Sequence, residues 1–447
     1  MGVMPVNKLI INMSLPMIIS MLVQALYNVV DSVFVGMINE ESLTAVSLAF
    51  PAQNLMIAFA AGTAVGVNAL VSRSLGAKQV QKANAVSENG VFLAVLSAIV
   101  FMIAGIFGAK AFMRSQTDVE YIIEQGTAYI RIVCGVSFGI FLEIMFERLL
   151  QSTGRTMYTM ITQGIGAIIN IIFDPIFIFV FKLGVRGAAI ATVLGQIVAF
   201  LLAVIFNHKK NPEIKLSVKG FKPSGEIIGG IYKIGVPSII MVAIGSVMTY
   251  CMNKILIVYT TGKETTATVF GAFFKLNSFI CMPIFGLNNG IIPIIAYNYG
   301  AKNKGRVIKT IKLSAVYAEI FGLFGATLFF TIPDVLLKLF SASEQMLAIG
   351  LPALRIAGTS FIFAGINIAI GAVFQSFGRS FYSMLVSFVR QLVVLVPVAF
   401  FLARYGMQTG NDNLVWWCYP IAEIFAITMT VICFISLNRN VIKRIEE

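Results

Sequence analysis

A chain of 447 residues that is 58% hydrophobic and only 12% charged lies far from the roughly one-quarter charged composition of a soluble domain. Apolar runs of about 20 residues, enough to cross a hydrocarbon core of about 30 Å, recur from Leu9 almost to the C-terminus, which excludes an ordinary soluble fold. The formal charge of +13 comes from Lys and Arg scattered through short loops, so it reports membrane topology rather than nucleic-acid binding.

Lipid offers backbone groups no water, so the spans must be helices. Twelve are predicted, over 9–37, 43–72, 85–113, 121–150, 156–181, 186–207, 228–260, 265–298, 306–332, 345–375, 380–403 and 413–437. The N-terminal run is too long for a signal peptide and lacks an A-x-A site, so it reads as a retained first helix. Loops after even-numbered spans carry Arg73, Lys78, Lys82, Arg155, Lys302, Lys304, Arg306, Lys309 and Arg379, and the tail adds Arg439, Lys443 and Arg444. Loops after odd-numbered spans carry fewer, which places both termini in the cytoplasm of a protein in the cytoplasmic (inner) membrane. Cys134, Cys251, Cys281, Cys418 and Cys433 all fall in apolar spans without a CxxC pair and read as free buried thiols.

Residues 208–226, "HKKNPEIKLSVKGFKPSGE", form a polar connection near the midpoint. They divide the chain into an N-lobe over 1–207 and a C-lobe over 227–447. The lobes repeat each other: "SLGAKQ" at 74–79 returns as "NYGAKN" at 298–303, and "LQSTGRTMYTMI" at 150–161 returns as "FQSFGRSFYSML" at 374–385. The same offset of 224 residues sets Arg131 over Arg355. Six spans per half is an even number, so both halves enter the membrane in the same direction. That predicts an all-α membrane protein whose two six-helix lobes are related by a parallel pseudo-two-fold repeat, the arrangement of alternating-access transporters.

An ionisable group at bilayer depth costs between about 2.5 and more than 10 kcal/mol and survives where it meets a cavity or a partner. Six acids lie inside spans: Asp31, Glu143, Glu147, Asp174, Glu319 and Glu423. In the fifth span Gln163, Gly166, Asn170 and Asp174 follow spacings of three and four and share a face. Ser20, Gln24, Asn28 and Asp31 make a similar stripe in the first span, and Thr192 and Gln196 a shorter one in the sixth. These faces are expected to converge on one cavity. The bland alternative is helix-to-helix glue, yet two aspartates at one depth favour a cation or proton site. Carboxyl groups paired in a dry place share a proton and give it up when wetted. Unprotonated, Asp31 and Asp174 with the Asn170 carbonyl and Thr192 hydroxyl form an oxygen-rich set for a hard monovalent cation such as Na+.

Glu143 and Glu147 lie one turn apart on the fourth span with Arg148 adjacent, so a local ion pair competes there with a proton or substrate contact. Gln24, Asn28, Gln163, Gln196 and Glu423 are further candidates for substrate or proton contacts. Pro16 and Pro237 hold matching places in the first helix of each half, where a missing backbone bond permits a hinge. The 20 Met and 37 Phe suit flat organic cations through adaptable and cation–π contacts.

"LPMIISMLVQALYNVVDSVFVG" in the first span, the "GAK" loop, "LQSTGRTMYTMI", "NIIFDP" and "GVRGAAIAT" together resemble the multidrug and toxic compound extrusion (MATE) family over essentially the whole chain. The resemblance implies a two-lobe, twelve-helix antiporter that expels organic cations in exchange for Na+ or H+, without a cofactor and as a monomer. It implies a cation site at Asp31, Asn170, Asp174 and Thr192 and a bending proline at Pro16. The acid that the NorM-like branch carries in the seventh helix has no counterpart here, where Gly245 stands near that place, so the chain looks closer to the DinF- and MepA-like bacterial branch. A lipid-linked precursor or polysaccharide flippase is the alternative, but it should line its cavity with cations. An intramembrane aspartyl protease should show GxGD, which is absent. A zinc enzyme is disfavoured by a single histidine, His208, in the connection. The reading is therefore a transporter, not an enzyme.

Overall fold

The protein is described here by a computed structural model covering residues 1–217, 221–340 and 342–445. Among these residues ten helices are long and apolar enough to cross a membrane, and two further bent pairs bring the number of spans to twelve. In chain order they are α1 (Val6–Gly36), α2 (Glu40–Gly76), α3 (Val80–Arg114), α4 (Glu120–Gly135 continued by Phe138–Ser152), α5 (Thr156–Val180) and α6 (Val185–Lys210). The second half follows with α7 (Gly225–Tyr259), α8 (Thr265–Gly300), α9 (Lys304–Thr331), α10 (Glu344–Gly358 continued by Phe361–Ser376), α11 (Ser380–Thr409) and α12 (Asp412–Arg444).

Local chemistry sets the ends of these helices. Asn39 caps α2 by accepting from the Ser42 N–H at 2.7 Å, with Glu40 and Glu41 in the first turn, where acids suit the helix dipole. Asn303 caps α9 in the same way through the Arg306 N–H at 3.1 Å. Two spans expected to run unbroken are bent, α4 by 45° and α10 by 52°. Neither break holds a proline; each falls at a Gly-x-Ser, Gly135 to Ser137 and Gly358 to Ser360, where small residues and a competing hydroxyl weaken the helical ladder. The Ser137 hydroxyl donates instead to the Ala98 carbonyl at 2.8 Å. Pro16, by contrast, lies inside one continuous helix.

The repeat extends to individual backbone atoms. Lys78 and Lys302, 224 residues apart, both adopt φ of 58°, and the turns they make close by Gln79 N–H to Ser74 O and Asn303 N–H to Asn298 O, each 2.9 Å. Further on, Arg155 N–H to Leu150 O and Arg379 N–H to Phe374 O are both 2.8 Å. The halves meet by an exchange of equivalent partners: α1 packs on α8, and α7 packs on α2. An apolar cluster of Leu9, Ile10 and Met13 from α1 with Ile284, Leu287 and Ile291 from α8 fills that junction.

The polar connection is shorter than the expected 208–226, because α6 continues through His208 to Lys210 and α7 begins at Gly225. It is also fastened. Lys215 N–H donates to Asn84 Oδ1, Ser217 N–H to Glu88 Oε1 and Ser224 N–H to Asn89 Oδ1, each at 3.0 Å, while Glu213 pairs with Arg155 at 2.9 Å. One face of α3 thus tracks the chain across. Residues 218–220 of the connection lie outside the described residues.

Candidate functional site

Glycine sets the geometry of the first-half site. A Cβ on Gly195 of α6 would lie 2.7 Å from the Gly166 carbonyl oxygen of α5, so only glycine lets the two backbones approach this closely. One turn along, that approach brings Asn170 to Thr192. The Asn170 amide is satisfied with its nitrogen donating to Asp174 Oδ2 at 3.1 Å and its oxygen accepting from the Thr192 hydroxyl at 3.3 Å and N–H at 3.2 Å. Asp174 is fully buried, and its carboxyl meets that of Asp31, reaching in from α1, in hydrogen-bonding contact. Each aspartate keeps one buried oxygen, Oδ1, without a protein partner. Pro175 follows directly and brings no N–H to the helix, and a wider π turn over Ile176–Val180 takes up the break.

A cavity of about 80 Å³ opens beside this pair, lined by Gln24, Glu143, Glu147, Gln163, Thr192 and Gln196 among others. The polar faces of α1, α5 and α6 converge here, joined by α4. Glu147 is buried, with Oε1 accepting from the Thr162 hydroxyl and Oε2 from the Gln163 amide, both at 2.7 Å. Gln163 and Gln196 each leave Oε1 unpartnered. Tyr27 stands between the two acidic pairs, near Glu143, Asp31 and Asp174 and in hydrogen-bonding contact with Gln24. Tyr129 donates to Gln53 Oε1 at 3.3 Å and reaches Thr192. With four carboxyl groups, amide oxygens and hydroxyls, the arrangement can hold hard cations or protons. No group of three or more His, Cys, Asp or Glu suited to a metal occurs among the described residues.

The MatE family model matches residues 16–176 and again 237–401. The chain belongs to the MatE family. The two matches begin at Pro16 and Pro237, the paired prolines of α1 and α7. Over 438 residues the chain is 29% identical to the multidrug export protein MepA of Staphylococcus haemolyticus (strain JCSC1435), covering 97% of this chain and 94% of that one. It is 28% identical to MepA of Staphylococcus aureus (strain MRSA252) over 447 residues. Its fold is similar to an outward-facing multidrug resistance MATE family transporter of the MOP superfamily, with a TM-score of 0.92, 26% identity and coverage of 98% of this chain and 97% of that one. It is also similar to a MOP superfamily transporter from Pyrococcus furiosus described as having a binding pocket of reverse polarity, with a TM-score of 0.90, 25% identity and 97% of each chain covered. This MATE protein is therefore a multi-pass membrane transporter of the MepA-like branch rather than an enzyme.

Several expected partners lie elsewhere in the MATE fold. Asn28 is exposed and does not line the cavity; its carbonyl accepts from the Ser32 hydroxyl at 2.9 Å, and Tyr27 takes the inward position on α1. Arg148 makes no ion pair with Glu143 or Glu147 among the described residues. Its Nη1 donates to Gln151 Oε1 at 2.7 Å and to Asn289 Oδ1 of α8 at 2.8 Å, bridging the halves. Glu423 is buried on α12, 3.5 Å from Arg390 Nη1, and accepts from the Asn367 amide at 3.1 Å. Arg390, Tyr27, Tyr129 and Gln53 escaped the sequence reading. An arginine inside an otherwise apolar span was the available signal for the first. Tyr27, one turn before Asp31, was the signal for the second.

Proposed function

We propose that this MATE protein is an antiporter that exports organic, mostly cationic and amphipathic compounds in exchange for H+ or Na+. Asp31, Asn170, Asp174 and Thr192 hold the coupling ion. Gln24, Glu143, Glu147, Gln163 and Gln196 supply proton or substrate contacts beside it. The observation that carries the reading is the meeting of the half-buried Asp31 with the fully buried Asp174, each with an unpartnered buried oxygen and neither ion-paired to Lys or Arg among the described residues.

Two carboxyl groups so placed need a positive charge, and an imported ion or proton supplies it. When that ion binds better in one state than in the other, the equilibrium between states shifts by the difference in affinity. Export follows if the ion-bound state is the one that releases drug. The N-lobe (1–207) and C-lobe (227–447) then move about the connecting segment, with Pro16 as the site of bending in α1. The protein works as a monomer surrounded by lipid in the cytoplasmic membrane, with both termini inside.

The test is efflux of a fluorescent organic cation from proteoliposomes on which Na+ and pH gradients are imposed one at a time. One gradient should drive efflux in the wild type and fail to drive it in Asp174→Asn. Equal efflux without any cation gradient would remove the antiport reading.

A further inference from the structure

The repeat that aligns the two halves also aligns their polar sites, and the two differ in charge. At the offset of 224 residues, Glu143 corresponds to Asn367 and Gly166 to Arg390. In the first half a Cβ on Gly166 would lie 3.2 Å from the Ala199 Cβ, so α5 and α6 touch at this place. In the second half α11 and α12 meet through the Arg390–Glu423 pair at 3.5 Å, and the residue at the Glu143 place, Asn367, donates to Glu423 at 3.1 Å. Arg390 sits on a π-helical stretch, Val389–Leu395, that follows the regular turns of α11. Such wide turns occur frequently at functional sites.

We infer that Arg390 is a tethered counter-ion: it supplies in the second half the positive charge that an imported cation supplies in the first. While it is present Glu423 has no part in cation binding. Without it, Glu423 becomes a cation-binding carboxyl group in its own right. The inference rests on the reading of the Asp31–Asp174 pair given above and extends it, because it explains why one half alone needs an external ion. The physical ground is the cost of an unpaired intramembrane acid. A guanidinium fixed in the same helix pair meets that cost permanently, whereas a bound ion meets it only when present. Cys281 from α8 faces both Arg390 and Glu423, and Tyr419 on α12, next to Cys418, faces Arg390.

The experiment measures the thermal midpoint of the detergent-purified full chain against Na+ concentration and, separately, against pH. Wild type should show a cation-dependent rise that Asp31→Asn with Asp174→Asn abolishes; persistence of the rise in that variant would count against the first-half site alone. Adding Arg390→Gln to the Asp31/Asp174 variant should restore a cation-dependent rise, and adding Glu423→Gln as well should remove it again. Arg390→Lys, which keeps a charge, should add nothing. A folded Arg390→Gln variant that gains no cation dependence would overturn the inference. Where Arg390→Gln alone does not fold, Arg390→Gln with Glu423→Gln in the otherwise wild-type chain must keep the full wild-type rise. Its loss there would make Glu423 part of the normal cation site and overturn the inference equally.

Discussion

Gly76 and Gly300 meet reciprocally at the ends of α2 and α8: a Cβ on Gly76 would lie 1.9 Å from the Tyr297 carbonyl oxygen, and one on Gly300 would lie 2.0 Å from the Arg73 carbonyl oxygen. The two glycines are equivalent in the repeat, and so are Tyr297 and Arg73, so the contact is its own mirror under a two-fold axis. The Arg73 guanidinium adds a contact across the junction, 4.7 Å from the centroid of the Tyr299 ring. This crossing closes the molecule on the side of the Lys- and Arg-rich loops.

Gly76→Ala should therefore open that side. The methyl group has no room, and overpacking of this kind costs about 1–3 kcal/mol, charged against the state in which the helix ends touch. A cysteine placed at Ser74, buried here, in a background lacking the native cysteines, should react several-fold faster with a thiol reagent when Gly76→Ala is added. Unchanged reactivity would mean that the crossing is not what closes this face.

Arg306 provides a second tie between the halves. Its Nη2 donates to the carbonyls of Met1 and Met4 at 2.8 and 2.7 Å, and its Nε donates to Asn298 Oδ1 at 3.0 Å. Hydrogen bonds from a charged donor contribute roughly 1.5–3 kcal/mol each, so Arg306→Ala should release the N-terminal segment. Hydrogen exchange over residues 1–8 should accelerate while the core of α9 stays protected. Equal protection in both proteins would show that the apolar seat of Val6 and Leu9 holds the segment without help.

What the sequence made legible follows from which interactions are local. The twelve spans come from runs of apolar residues, the repeat from matched loop motifs, and the set Asp31, Asn170, Asp174 and Thr192 from helical spacing and counted depth, all readable along the chain. Interactions that close across it were not. Arg390 meets Glu423 from a neighbouring helix, and Arg148 turns away from the acids beside it to Asn289 on α8. Helical spacing put Asn28 on the inward face of α1, whereas with α1 packed against both α5 and α8 it is Tyr27 that turns inward and Asn28 that is exposed. The bends of α4 and α10 depend on a Gly-x-Ser pattern that many straight helices tolerate.

Topology has a direct check. The loops after even-numbered helices collect most of the Lys and Arg, which predicts that they and both termini lie inside. Cysteines introduced at Lys215, whose N–H is bonded to Asn84, and at Lys443 should resist an impermeant thiol reagent added to intact cells, and should label once the membrane is permeabilised. Ready labelling of intact cells at either place would reverse the orientation.

Asp174 tests the coupling itself. Asp174→Asn keeps the size of the side chain and an oxygen to accept from Asn170, which now donates to Oδ2 at 3.1 Å, so the variant should fold and reach the membrane. It removes one of the two carboxyl groups that meet here and, on the reading proposed above, the charge that would hold a cation. A ligand shifts a two-state equilibrium only through its differential affinity, so an ion that no longer binds cannot favour the drug-releasing state. Gradient-driven efflux should fall at least tenfold, which corresponds to about 1.4 kcal/mol of lost coupling, while drug binding measured without a gradient falls less. Asp31→Asn should behave in the same way. Glu319→Gln should change efflux little, since Glu319 lies on α9, in contact with the Ile366 backbone of α10 and away from the Asp31–Asp174 pair. If Asp174→Asn supported wild-type driven efflux at equal expression, the Asp31–Asp174 pair would be a polar bridge between α1 and α5, and the coupling ion would have to be sought at Glu143 and Glu147.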